Sequence, residues 1–347
     1  MKLSRRQFVR LQGLVAGSVL LLPSINSLRE LSSEKLQRNK TDRFRLAFCG
    51  TTEEFDFYRK ILQNSFSGNL IAVKPGRVSH LKPNAVWVGS IQRKRYQHIA
   101  SWLNQGIHVL AEPPASGDPA LLNLLQLNAS LHNARTGFSY YHRFQTSSEK
   151  AADLVSRGAL GTLQSIKIQL NDPEKDHLMT FRHNSFLGPG ACLIDLVRFI
   201  TGSNIGSIQS GSLPVPGKPL PDREINLRMD FGGVTALYSN IKHHLDGTAG
   251  WAIQLIGNRG QMKLSTDNRL ELLEREGWRT IENGKNTDFV YAVRMLVNDF
   301  LVSATYGKEP EVNLTDAMAA GLAEASAEKA ALTQQVILTG AVNHDSR

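Results

Sequence analysis

Three short stretches carry residue types and spacings that could do chemistry. The first is Gly50-Thr51-Thr52-Glu53-Glu54-Phe55, which joins an apolar run to an amphipathic segment. In that setting a Gly-x-Gly-x-x-Gly turn cradles a dinucleotide: the first glycine turns tightly, the second admits the pyrophosphate and the third lets helix meet strand. Here Gly50 alone of the three remains, Thr52 is branched where the pyrophosphate would approach, and Phe55 is bulky at the packing position. Glu53 and Glu54 put two carboxylates where a bound anion would sit. Thr51 and Glu54 also fit a capping box, so the favoured reading is a self-capped helix that needs no phosphate. The second stretch is Glu112-Pro113-Pro114, following the apolar run His108–Ala111. The third, Gly188-Pro189-Gly190-Ala191-Cys192-Leu193-Ile194-Asp195, opens a helix with a thiol and a carboxylate. A thiolate can act as a base, but no neighbour in this motif would depress the pKa of Cys192.

The elements that must position these stretches divide the chain in two. From Phe44, short apolar runs alternate with amphipathic helices as far as Tyr141: Phe44–Cys49, Glu53–Gln63, Leu70–Val73, Ala85–Val88, Arg93–Asn104, His108–Ala111, Pro119–Ala134 and Gly137–Tyr141. This alternation predicts a doubly wound parallel sheet over residues 43–141. Residues 74–84 leave space for a turn or so of helix between the second and third strands, so the sheet is a shortened one. Residues 142–335 begin with a helix at Ser148–Arg157. Strand-like runs follow at Ser165–Leu170, Ile208–Ser212, Ile225–Phe231, Thr235–Lys242, Ala252–Ile256, Gly260–Ser265 and Leu270–Leu273. Helices at Phe289–Tyr306 and Leu314–Thr333 close the pattern and are expected to pack back on the first part, with 336–347 as a tail. The second part thus reads as an α+β domain with an open, mostly antiparallel sheet.

Gly106-Ile107-His108-Val109-Leu110-Ala111-Glu112-Pro113 resembles the Ala-Gly-Lys-His-Val, strand, Glu-Lys-Pro signature of the Gfo/Idh/MocA oxidoreductases. Three passages extend the resemblance over nearly everything after residue 43. They are Arg143-Phe144 with the helix ending Gly158-Ala-Leu-Gly161, the helix Leu193–Gly202, and Gln254-Leu-Ile-Gly-Asn-Arg-Gly-Gln. The resemblance implies a Rossmann-type cofactor domain, a substrate domain whose sheet face forms homo-oligomers, and NAD(P)-linked chemistry on a sugar or polyol. It puts the cofactor against Gly50, Thr51, Thr52, Lys74, Ser90, Glu112 and Pro113. It puts the substrate against Tyr141, Arg143, His183, Cys192 and Asp195. Pro113 replaces the family's lysine, Gly188 its assisting aspartate and Cys192 its catalytic histidine, while Asp195 is retained. All three proton-handling groups are therefore missing. Lys74 and Arg77 could grip a ribose 2′-phosphate and favour NADP, although two solvated loop cations, with no cofactor bound, account for them more simply.

Several other features bound the function. The net charge is +9, of which Lys2, Arg5, Arg6 and Arg10 supply four. Ser4-Arg5-Arg6-Gln7-Phe8 followed by an apolar run reads as a twin-arginine export signal over residues 1–27, with a polar linker at 28–42. This places the protein in a bacterial periplasm or at the cell surface, with no stable transmembrane span after processing. The triplet Arg93-Lys94-Arg95 reads as a solvated helix face, and no nucleic-acid motif accompanies it. Cys49 and Cys192 read as two buried thiols rather than a disulfide. His177, Arg182 and His183, in the loop before Gly188, and Tyr140, Tyr141 and His142, at the junction, are candidates for a replacement base. His243-His244 lacks supporting ligands at metal spacing, so no metal site is expected. Three readings stay open: a catalytically degenerate sugar- or polyol-binding protein, a working NAD(P)-dependent oxidoreductase with a relocated base, and a scaffold that uses the sheet face.

Overall fold

The computed structural model describes residues 44–63, 69–74, 77–89, 95–113, 118–171, 187, 190–211, 225–241, 250–284 and 288–339. Its first sheet has five strands: β1 (Arg45–Cys49), β2 (Asn69–Ala72), β3 (Ala85–Val88), β4 (His108–Ala111) and β5 (Thr136–Phe138). Between them come α1 (Thr52–Leu62), the single turn α2 (Val78–Leu81), α3 (Arg95–Leu103) and α4 (Pro119–Leu131). All neighbouring strands run parallel, in the order β2-β1-β3-β4-β5. Continuous burial along Leu46–Cys49 and Ala85–Val88 follows from helices covering both faces, so these strands read as unbroken apolar runs. The order reverses between β1 and β3. The crevice beyond their carboxyl ends is where open α/β sheets bind ligands.

The 3₁₀ turn Tyr141–Phe144 leads into α5 (Thr146–Ser156), β6 (Leu163–Asn171) and α6 (Gly190–Thr201). Strands β7 (Ile205–Ser210), β8 (Ile225–Phe231), β9 (Val234–Ile241), β10 (Gly250–Gly257), β11 (Gln261–Ser265), β12 (Leu270–Glu274) and β13 (Gly277–Glu282) complete most of a second sheet. The helices α7 (Asp288–Tyr306) and α8 (Leu314–Thr333) follow, and the two-residue strand β14 (Ile337–Leu338) closes the order β13-β12-β11-β10-β6-β9-β8-β7-β14. Every pairing is antiparallel except β6 with β9. The open, mostly antiparallel sheet expected from the sequence is present. Two edge strands were not expected. The β13 run has no buried residue and carries no alternating pattern. In β14, Ile337 pairs with Ile208 inside the stretch read as a tail, because tertiary pairing rather than periodicity makes it a strand.

Burial alternates along the second sheet. Ile166, Ile168, Leu227, Met229, Ala236 and Ile253 face α6 and the end of α8, while Lys167, Gln169, Asn226, Arg228 and Leu237 are exposed on the other face. The last two helices return to the first sheet. Val293, Leu296, Val297 and Phe300 of α7 and Ala317 and Ala320 of α8 belong to its core, whereas Ala323, Ala327 and Ala330 of α8 belong to the second. Small side chains along α8 let one helix serve both.

The two Gly-x-x-Gly turns explain each other. Asn258 N donates to Thr162 O and Arg259 N to Leu160 O, while Thr162 N donates to Asn258 Oδ1 at 2.9 Å. Gly161 has φ +70°, and a Cβ on Gly257 would overlap the Leu160 carbonyl oxygen. Gly257→Ala is therefore expected to cost about 1–3 kcal/mol through overpacking against backbone, read as a lower urea midpoint with an unchanged slope.

Candidate functional site

At the crevice between β1 and β3, Thr51 is the N-cap of α1 with extended backbone. Its Oγ1 accepts from Glu54 N at 3.2 Å, and Glu54 Oε2 accepts from Thr51 N at 2.8 Å. The capping box expected from the sequence is thus formed. Glu54 is only 3% exposed. Phe55, at the third-glycine position, sets its ring 6.0 Å from that of Phe48, with the Arg59 guanidinium 5.5 Å away on the same ring. Phe48 also meets Tyr58 and Trp87, at 5.8 and 5.7 Å. Gly50 keeps its bare backbone, but the space beside it is taken: a Cβ built there would overlap Glu54 Oε2 and lie 2.5 Å from Phe48 Cε1. The residues present do not fit a pyrophosphate. Lys74 and Arg77, beyond the end of β2, are exposed, and Ser90 lies outside the described residues.

Glu112 and Pro113 follow β4 and are both buried. Glu112 N donates to Val88 O at 2.9 Å. Its Oε1 accepts from Tyr58 Oη and Trp87 Nε1, each at 2.9 Å. Burial pushes the Glu112 carboxyl up to about 7, because desolvation outweighs these donations and the nearby Arg95 charge. Arg95 corrects the reading of its triplet as a solvated face: it is 6% exposed and feels the charges of Glu112 and Glu54. Desolvation is the larger effect and lowers the Arg95 pKa, and the acidic groups that oppose it lie on other elements, invisible in a run of cations. Arg93 and Lys94 lie outside the described residues.

Cys192 stands in the first turn of α6, where a helix N-terminus ordinarily favours a thiolate. Burial, reinforced by Asp195, Glu112 and Glu324, instead raises its pKa well above the usual thiol range. Cys49 is likewise pushed up to about 12 by burial, and neither cysteine forms a disulfide. Tyr141 packs against Phe289 at 4.8 Å, and its hydroxyl is raised by burial and by the charges of Cys192 and Glu112. The fold therefore gathers Tyr58, Glu112, Tyr141 and Cys192 around one spot beyond β4. Burial depresses His142 to about 4, so at neutral pH it carries no charge.

Asp195 and Arg143 are joined to each other. Arg143 Nε donates to Asp195 Oδ2 at 2.7 Å and Nη2 to Oδ1 at 2.5 Å. Arg198 Nη1 reaches Asp195 Oδ1 at 3.0 Å, and Arg143 Nη2 reaches Asp316 Oδ1 at 2.9 Å. Two guanidinium groups and two carboxylates thus tie the 3₁₀ turn, α6 and the start of α8 together. His177, Arg182, His183, Gly188 and His243-His244 lie outside the described residues. Tyr58 and Trp87 belong to no motif in the sequence, and Arg95 stands there only as part of a basic triplet. The one hint was an indole and a phenol, which need hydrogen-bond partners when buried.

No protein-family profile matches the sequence, and no curated protein is similar to it. Solved structures do share its fold. An oxidoreductase domain protein from Kribbella flavida is 18% identical, aligned over 86% of this chain and 91% of that one, with a TM-score of 0.69. An apo scyllo-inositol dehydrogenase from Lactobacillus casei is 19% identical over 90% and 96%, with a TM-score of 0.64. An oxidoreductase from Agrobacterium radiobacter, in complex with NAD+, L-tartaric acid and magnesium, is 13% identical over 86% and 99%, with a TM-score of 0.69. The chain has the two-sheet oxidoreductase fold of these proteins, consistent with the resemblance to Gfo/Idh/MocA.

Two outcomes follow. Glu112 keeps its proton in the fold up to about pH 7 but loses it near 4.5 when unfolded. The folded state binds more protons between those values, so stability falls as pH rises through that window, by about 3 kcal/mol in total. In Glu112→Gln that penalty is absent: the melting temperature of the variant minus that of wild type should climb between pH 4.5 and 7 and level off above. Asp195→Ala leaves Arg143 and Arg198 buried without their shared carboxylate, and urea titration should read a loss of about 3–5 kcal/mol.

Proposed function

We propose that this chain is an exported protein of oxidoreductase fold that binds a sugar or polyol and no longer runs the hydride reaction. The observation that carries the reading is the chemistry at the family's proton-handling positions. Pro113 holds no proton, and the buried Cys192 thiol is held in its neutral form. Proton abstraction from a secondary alcohol needs a base with a pKa near the working pH, and neither residue supplies one. A hydroxyl-rich ligand fits the relatives, which include a scyllo-inositol dehydrogenase and an oxidoreductase that holds L-tartaric acid. The twin-arginine pattern at Arg5-Arg6 supports export. Among the described residues no helix is long and apolar enough to cross a membrane. The exposed sheet face bearing Lys167, Arg228 and Leu237 would pair copies of the chain.

One observation favours a second reading, a working NAD(P)-dependent enzyme with a relocated base. Glu112 is a carboxyl with a pKa of about 7 beside Tyr141 and Cys192. In that reading Lys74 and Arg77 would select NADP.

A thermal-shift panel of cyclitols, aldoses and sugar acids, run beside an NAD(P)+ reduction assay on the same compounds, tests the proposal. At least one compound should raise the melting temperature while none is oxidised. Turnover that disappears in Glu112→Gln would establish the second reading instead. A panel without any shift would end the binding reading and leave a scaffold.

A further inference from the structure

Glu54 supports an inference that goes beyond the loss of proton-handling groups. The crevice where β1 and β3 diverge is bounded by Gly50 on one side and Gly89 on the other. A Cβ on either glycine would overlap the same atom, Glu54 Oε2, so one carboxylate oxygen fills the space that both leave. The walls are close: a Cβ on Gly89 would also lie 3.0 Å from Gly50 Cα. The backbone N–H of Thr51, 2.8 Å from Oε2, fixes the carboxylate there. That N–H stands at the start of α1, among the donors an external anion would use.

The surroundings reinforce the closure. Beneath the turn, the Phe48 ring lies against Gly50 and packs on Phe55, Tyr58 and Trp87. Phe55 fills the place where a glycine would bring helix and strand together. An entering diphosphate would break the Thr51–Glu54 bond and would set its own charge against a carboxylate shielded from water. Like charges brought that close repel strongly at the effective dielectric of a protein.

We propose that Glu54 is a built-in anionic plug. The chain's own carboxylate holds the ligand crevice of the parallel sheet shut, and Glu54 is the residue that excludes nicotinamide dinucleotides.

Calorimetric titration of NAD+ into the purified full chain and its Glu54 variants tests the plug, with circular dichroism to verify folding. Wild type should show no binding at millimolar NAD+, and Glu54→Ala should gain at least tenfold in affinity. Glu54→Asp keeps an acid in the first turn but draws the carboxylate back by one methylene, so it should gain less. Wild type binding NAD+ as tightly as Glu54→Ala overturns the proposal, as does a folded Glu54→Ala that gains nothing. If Glu54→Ala does not fold, Glu54→Asp decides: a gain supports the plug and no gain overturns it. A wild type that binds NAD+ but oxidises nothing would remove the plug and leave the proposed function standing. A gain in Glu54→Ala, in a protein that binds no sugar or polyol, would do the reverse.

Discussion

The quartet formed by buried Arg143, Asp195 and Arg198 with half-buried Asp316 is the interaction on which the arrangement of the two sheets depends. Its members come from the turn that leaves the first sheet, from the helix lining the second, and from the helix that serves both cores. Such a network adds little net stability over an apolar replacement, since desolvation offsets most of the Coulomb gain. What it supplies is geometry. Each guanidinium is satisfied in one relative placement of the three elements, and Arg198 also spends its Nε and Nη2 donors on Asn204. The position of Cys192, three residues before Asp195 on α6, follows from that placement.

The crevice and the quartet have been treated alike. In each, groups that could meet a ligand are engaged by partners within the chain: Glu54 with the N–H of Thr51, Arg143 with Asp195, Glu112 with Tyr58 and Trp87. Charges and donors that an enzyme of this fold would leave open to its ligands are here internally compensated. Compensation of that kind satisfies buried polar groups from within the chain.

Much of this was legible from local sequence. Strands buried on both faces show as unbroken apolar runs, and the Thr51–Glu54 box announced both the start of α1 and its self-sufficiency. Features made by distant residues were not legible. Arg143 and Asp195 stand 52 positions apart, and each alone looked like a substrate contact. Arg95 sat in a basic triplet and read as solvated, because the carboxylates that accompany its burial lie on other elements. Tyr58, Trp87 and Glu112 come from a helix, a strand and a strand end, so their meeting exists in the fold alone. The strands β13 and β14 have no periodicity to detect, being defined by the neighbours they pair with.

The division of α8 between two cores bears on how the chain must be made. Phe300, Ala317 and Ala320 complete a core whose first strand begins at Arg45, so during synthesis that core waits until residues as far as Ala320 have left the ribosome. Until then the surfaces of α1, α4 and β5 that α7 and α8 will cover have no permanent neighbour. A nascent chain in that condition depends on chaperones longer than one whose domains close in order of synthesis. Through α8 the same late closure links the two cores, so a break within that helix would disturb the first sheet as well as the second.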